Sequence, residues 1–121
     1  MATLSAKITL TSTDLLSDSL SFSVDNSLTV TTGGLERTSL TATSSGAAVT
    51  LYAAASYTAS SYIYLKNTDS TTTDYVHIRL SSDNQMRLSG GEWAWIPWST
   101  DNDVKVWVTT TATVLEHAIF A

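Results

Sequence analysis

Few side chains in this sequence could do chemistry. His77 and His117 are the only imidazoles, each with a carboxylate close in sequence, Asp74 and Glu116. Such groups could ligate a metal, but a site needs about three or four converging donors, and two histidines on separate strands meet only if those strands pair in register. Solvent-facing strand histidines account for the pattern without an ion. Ser and Thr number 39, enough to write a Ser-His-Asp triad on paper, yet no GxSxG elbow marks one serine as a nucleophile. Asp101, Asn102 and Asp103 place oxygen donors in a row. Calcium loops draw roughly six to eight oxygens, with carboxylates at alternate positions and a turning Gly; that Gly and the later Glu are missing, so Asx residues at a hairpin turn explain the triplet. Glu36, Glu92 and Glu116 fall on three different segments and give no reason to invoke the paired carboxylates of a glycosidase. The expectation is no catalytic residue, no metal and no cofactor.

The remaining signal is aromatic. The stretch GGEWAWIPWST, Gly90 to Thr100, holds three of the four tryptophans and the only proline. In a strand, Trp93 and Trp95 share one face, and Glu92, Ala94 and Ile96 the other. Ala94 and Ile96 make a thin inner face, so the spacing leaves open which side is core. In VKVWVTT, Trp107 sides with Lys105 and Thr109, opposite Val104, Val106 and Val108, and is external by that partition. An external Trp on a hydroxyl-rich sheet fits contact with sugar rings or with another protein chain. Trp93, Trp95, Trp98 and Trp107 are the candidate interface residues. Pro97, lacking an N–H, is expected to end its ladder.

The segments that must position these residues have a hydrophobic period of two. Leu20, Phe22 and Val24 alternate with polar residues, and Leu28 and Val30 continue. Leu35 and Leu40 follow Gly33-Gly34; Val49, Leu51 and Ala53 alternate; Ile63 and Leu65, then Val76, Ile78 and Leu80, flank a polar loop. QMRLS, EWAWIPW, VKVWVTT and TVLEHAIF follow, giving about eight or nine short strands. Only Ser12 to Ser17 and Ala53 to Ser60 could hold a helical turn. The fold class is all-β, a jelly-roll-like sandwich of about eight antiparallel strands in two sheets; an immunoglobulin-like sandwich is the alternative, weakened by the absent Cys pair. At 121 residues one domain is expected, over 13–121, with the weakly patterned residues 1–12 as an N-terminal arm.

Charge bounds the partners. Charged residues are 14%, against roughly 25% in ordinary domains, and net charge is −5. The six Lys and Arg are scattered along the sequence, leaving no footprint for nucleic acid or an anionic membrane. There is no Cys, no apolar signal-peptide core and no run long enough to be a transmembrane helix. Synthesis in a cytoplasm without classical export is expected. A surface of Ser, Thr, Asn and Ala loses little rotamer entropy when covered, which suits an assembly subunit; threonine-rich strands of an ordinary β domain fit equally.

The succession YIYLKNTDS (Tyr62 to Ser70), YVHIRL (Tyr75 to Leu80), LSGGEWAWIPW (Leu88 to Trp98) and DVKVWVTTTATVLEHAIF (Asp103 to Phe120) resembles small tailed-bacteriophage virion proteins. In these, a strand ending in KN(T/S)D precedes a GE-aromatic-A-aromatic hairpin with a proline, a valine-rich strand and a closing strand. The resemblance covers Tyr62 to Ala121. It implies a compact β-sandwich, often a jelly roll, and a non-enzymatic structural role, foremost as a capsid decoration or cement protein. Such a protein sits as homotrimers on the major capsid protein at the phage head surface, after synthesis in the bacterial host cytoplasm. Gly90 stands where proline is commoner, and His117 where Tyr is common. The GGE…P pattern is also similar to cupins, but both histidines lie outside the positions a cupin metal site uses. A carbohydrate-binding module or tail adhesion domain, with tryptophans as stacking platforms and Asp101 and Asn102 beside Trp98 for sugar hydroxyls, is the competing expectation.

Overall fold

A computed structural model of the chain describes residues 1–14, 19–57, 60–83, 85–110 and 113–121. Ten strands carry it: β1 (Ala2–Ser12), β2 (Leu20–Val30), β3 (Gly33–Leu40), β4 (Val49–Tyr52), β5 (Ser61–Asn67), β6 (Val76–Arg79), β7 (Gln85–Leu88), β8 (Trp93–Trp98), β9 (Val104–Val108) and β10 (Thr113–Phe120). Two short 3-10 turns, Ser45–Ala47 and Ala54–Ser56, are the helical content among the described residues. The second falls where a helical turn was expected; the expectation at Ser12 to Ser17 lies partly outside the described residues.

The chain divides into two compact units, Met1–Thr31 and Thr32–Ala121. The boundary is not the expected one, an arm over 1–12 and a domain over 13–121, because β1 pairs with β2 along its whole length, from Ala2 opposite Val30 to Ser12 opposite Leu20. The alternation of Leu4, Ile8 and Leu10 with Thr, Ser and Lys was the signal for β1.

The larger unit is an all-β sandwich of two antiparallel four-stranded sheets, ordered β3-β10-β5-β8 and β4-β9-β6-β7. The path crosses between the sheets at every step except β6 to β7, and the two orders are those of an eight-stranded jelly roll, not of an immunoglobulin sandwich. Alternation fills the space between them: Ile63 and Leu65 on β5 and Leu115 and Ile119 on β10 meet Val76, Ile78, Val104, Val106 and Val108 of the other sheet in one cluster. Each such side chain, fully buried, stabilises the fold by about 1.5–3 kcal/mol over its exposed state.

Two departures from simple alternation matter. Val49 and Leu51 were expected to share the inner face with Ala53, but the register between β4 and β9 shifts between Thr50 and Tyr52. A bulge of this kind re-aims the next side chain, and Tyr52 enters the core at 7% exposure. Pro97 does not end its strand: it pairs in register with Tyr62, and β8 continues to Trp98. β8 is the outermost strand of its sheet, where a residue without an N–H is tolerated.

The loops beside β5 and β8 are clamped by one amide. Asn67, fully buried, donates through Nδ2 to the carbonyls of Asp74 (2.7 Å) and Leu88 (3.0 Å) and accepts from the Asp69 N–H through Oδ1 (3.1 Å). Ser89 to Glu92 form a turn closed by Glu92 N–H to Ser89 O (3.0 Å), with Gly91 at φ +85° in the position where a type II turn needs a left-handed residue.

Candidate functional site

The register of the first sheet sets out its outer face as a grid. One row runs Gly33, Phe120, Tyr62, Pro97; the next Leu35, Ala118, Tyr64, Trp95; the third Arg37, Glu116, Lys66, Trp93. The first two rows are apolar and aromatic, and the third is charged except for its tryptophan. Trp95 lies on Tyr62 with ring centroids 5.6 Å apart and planes 22° from parallel, and against Phe120 at 5.5 Å and 37°. Phe120 rests over Gly33, where a Cβ would come within 2.9 Å of its ring. Trp93 and Leu35 stand exposed at opposite margins, 54% and 63%.

The charged row is organised by Glu116. Arg37 donates to its Oε2 through Nε (2.8 Å) and Nη2 (2.7 Å), and the Tyr64 hydroxyl donates to Oε1 (3.2 Å). The Arg37 guanidinium, helped by the Tyr64 hydroxyl and Lys66, holds the Glu116 carboxyl below the usual carboxylate range, while burial works the other way. Burial first, then the Glu116 carboxylate, raises the Tyr64 phenol. An aromatic centre with a polar margin is the anatomy of a protein contact surface, in which Trp, Tyr and Arg carry most of the binding energy.

The four candidate tryptophans separate. Trp93 and Trp95 are on the outer face, because Ala94, Ile96 and Trp98 pair with the inward-facing Leu65, Ile63 and Ser61. Trp98 is in the core at 4% exposure, its indole N–H donating to the Asn102 carbonyl (2.9 Å). It is no stacking platform, and Asn102 serves it as a backbone acceptor. Trp107 is on the outer face of the second sheet as expected but is only 7% exposed. The His77 imidazole lies parallel to it at 5.1 Å and the Arg79 guanidinium stands over it at 5.8 Å. It is covered by its own chain, which removes it as a contact residue.

That second face corrects the reading of the cations as scattered. Pairing of β6 with β7 and β9 sets His77 between Arg87 and Trp107, and Arg79 between Gln85 and Lys105. Three of the six Lys and Arg, Arg79, Arg87 and Lys105, therefore share one sheet face. Arg87 stands 4.3 Å over the Tyr75 ring. An open groove of about 520 Å³ at one end of this sheet is lined by Arg79, Lys105, Asp101, Asn102 and Asp103 among others. The acidic triplet is spoken for: the Asp101 carboxylate accepts from Ser99 (2.7 Å) and that of Asp103 from the Ala54 N–H (2.9 Å). The Asp101 bond is local turn chemistry, but the Asp103 bond ties the loop to the turn after β4, and the connection from β8 to β9 crosses between the sheets where a hairpin turn was expected.

The histidines do not come together. His77 is half-buried on the outer face, and burial, then Arg87, lowers its pKa. His117 was expected to face solvent but points into the sandwich at 3% exposure, because it pairs with the inward Leu65. Its Nδ1 is 2.7 Å from the Tyr52 hydroxyl and its Nε2 2.9 Å from that of Thr38. Burial lowers its pKa against the opposing pull of Glu36, and burial raises the Tyr52 phenol. Among the described residues no group of three His, Cys, Asp or Glu is close enough to hold a metal ion. The network Thr38–His117–Tyr52 satisfies the buried imidazole and phenol from a half-buried hydroxyl at the edge of the core, a structural arrangement.

Compared with family models, with curated proteins and with solved structures, the chain finds no match.

Proposed function

We propose that this chain is a structural protein of a tailed-bacteriophage virion, a non-enzymatic decoration or cement protein that binds the head surface and stabilises the shell. The observation that carries this reading is the outer face of the β3-β10-β5-β8 sheet, where Tyr62, Trp95 and Phe120 stack behind an exposed Trp93 and a charged row. The resemblance of Tyr62 to Ala121 to small virion proteins gives that surface its partner, the major capsid protein. Docked across a seam between capsid subunits, the aromatic rows would be buried, and the Arg37–Glu116–Lys66 row would form the margin of the contact. Copies acting as homotrimers would multiply a modest contact over the lattice. Cryo-electron microscopy of the source particle tests the reading: density for the sandwich on the outer head lattice is expected, with Trp93 and Trp95 against the shell. Density at the tail only, or none on the particle, overturns it.

One observation favours a second reading. Trp93 is 54% exposed beside Lys66, with Glu116 next along the row, an arrangement that also suits a sugar ring stacked on an indole with its hydroxyls on the charged row. A glycan array with the full chain separates the two, since robust sugar binding lost in Trp93→Ala would make this a carbohydrate-binding or adhesion module.

A further inference from the structure

The sandwich is open along one side. β3 and β4 are edge strands, one in each sheet, and both contribute to a cavity of about 260 Å³ lined by Gly34, Glu36, Leu51, Tyr52, Tyr57 and Ile119 among others. Gly34 and Glu36 face it because they pair with Ile119 and His117, whose side chains point inward. A Cβ placed on Gly34 meets nothing within 4 Å, so the missing side chain leaves the space open. Tyr52 and Tyr57 supply two ring walls, 6.3 Å between centroids and 85° between planes. Trp98 packs against both, at 6.4 Å and 5.6 Å, which holds the rings in place before any ligand arrives.

We infer that this cavity binds a small quaternary ammonium ligand, its cationic head between the Tyr52 and Tyr57 rings and beside the Glu36 carboxylate. Charge decides the sign of the ligand. Glu36 is the one charged residue lining the cavity, it is exposed, and among the described residues no ion pair neutralises it. Its field reaches the buried wall: burial, then the Tyr57 phenol and the Glu36 carboxylate, raise the Tyr52 phenol, and Glu36 opposes the lowering of the His117 pKa by burial. The aromatic walls add to that attraction, because a cation within about 6 Å of a ring centroid is drawn to the electron-rich ring face. An anion would meet repulsion from both. Substitution on the nitrogen follows from the hydrogen-bonding groups at hand. A primary ammonium brings three N–H donors to satisfy, but the Tyr52 hydroxyl is taken up by His117 at 2.7 Å, and the Leu51 and Ile119 side chains accept nothing. A quaternary head has no donor to satisfy, and its methyl groups gain from burial against the same apolar side chains. The outer aromatic rows take no part, so the inference does not depend on the virion reading.

Isothermal titration calorimetry of the full chain with choline tests it, with ethanolamine and the uncharged tert-butyl analogue of choline as comparison ligands. Choline should bind saturably, one per chain, and both comparison ligands at least about tenfold more weakly. Glu36→Gln keeps the side-chain shape and removes the charge, and should weaken choline binding by about tenfold or more. Glu92→Gln removes the same charge just before β8, at the other edge of the sheet, and should leave the affinity unchanged. Gly34→Leu should fill the cavity and abolish binding. Its Cβ has room, so circular dichroism and indole fluorescence should match the wild type; if they do not, the exposed Glu36→Gln carries the test. Absence of saturable choline binding, equal binding of ethanolamine or of the uncharged analogue, or full affinity in Glu36→Gln overturns the inference.

Discussion

The imidazole of His77 lies parallel to the indole of Trp107, 5.1 Å between centroids and 5° between planes, across the β6–β9 pairing. That stack, with Arg79 above it, closes a surface on which the sequence alone would place an exposed tryptophan. The distinction between external and exposed is set by neighbours that arrive from another strand. His77→Ala should therefore uncover Trp107, and iodide quenching of indole fluorescence should rise relative to the wild type; unchanged quenching would mean that other groups seal the ring.

Both histidines have pKa values held below the ordinary one by burial. The unfolded chain binds protons at about pH 6.5 while the native chain resists them. Their contribution to stability is thus complete above about pH 6.5 and is lost as pH falls towards the lower native values. Thermal melts from about pH 7.5 to about pH 5 should show a falling Tm. His77→Phe, which keeps a ring over Trp107 and removes one of the two proton-binding steps, should show a shallower fall.

The four indoles should respond unequally to truncation. Trp98→Ala removes a core ring and should cost about 3–5 kcal/mol in urea unfolding. Trp93→Ala, at an exposed margin, should stay within about 0.5 kcal/mol. Trp95→Ala forfeits its ring contacts with Tyr62 and Phe120, each such pair contributing about 0.5–1.5 kcal/mol. Under the virion reading Trp93→Ala and Trp95→Ala both weaken binding to heads while the sandwich stays folded, which sedimentation with purified heads would measure.

The jelly roll was legible because the sandwich strands alternate: Ile63 and Leu65, Val76 and Ile78, and Val104, Val106 and Val108 all face inward as their spacing requires. β1 was not read as a strand, since alanines at 2 and 6 dilute its alternation and its partner β2 is needed to see the shared apolar side. The candidate site was half legible. Trp93 and Trp95 were named, but Tyr62, Phe120 and Ala118 join them only through strand pairings between residues some 20 to 60 positions apart. Lys105 joins Arg79 and Arg87 through the same kind of distant pairing, β6 with β9. His117 was misread because strand alternation gives two faces without saying which is inner, and a histidine bonded at both nitrogens satisfies a core as well as a surface.

Thr100 is the one described non-glycine residue with positive φ, 64°, in the turn before β9. A β-branched side chain is strained there, and its neighbours Ser99 and Asp101 are tied by a hydrogen bond that holds the turn. Thr100→Gly should relieve the crowding and Thr100→Asn should retain some order while tolerating the left-handed backbone. Either should raise stability by up to about 1 kcal/mol, read as a shift in the urea midpoint at unchanged slope.

The Asn67 clamp makes the sharpest stability prediction. Asn67→Leu fills similar space but strands the Asp74 and Leu88 carbonyls and the Asp69 N–H that the amide now satisfies. Buried groups left unpaired cost about 1–3 kcal/mol each, so a loss of at least about 2–4 kcal/mol is expected. The same loop presses on Gly90, where a Cβ would lie 2.4 Å from the Thr71 carbonyl oxygen and 2.9 Å from that of Asp69. Gly90→Ala must therefore displace backbone, whereas Gly91→Ala meets open space and incurs only its positive φ, about 1 kcal/mol. Urea unfolding should rank Gly90→Ala as the more destabilising of the two. The reverse order would show that the 69–71 loop yields, and that the Asn67 bonds holding it are weaker than their lengths imply.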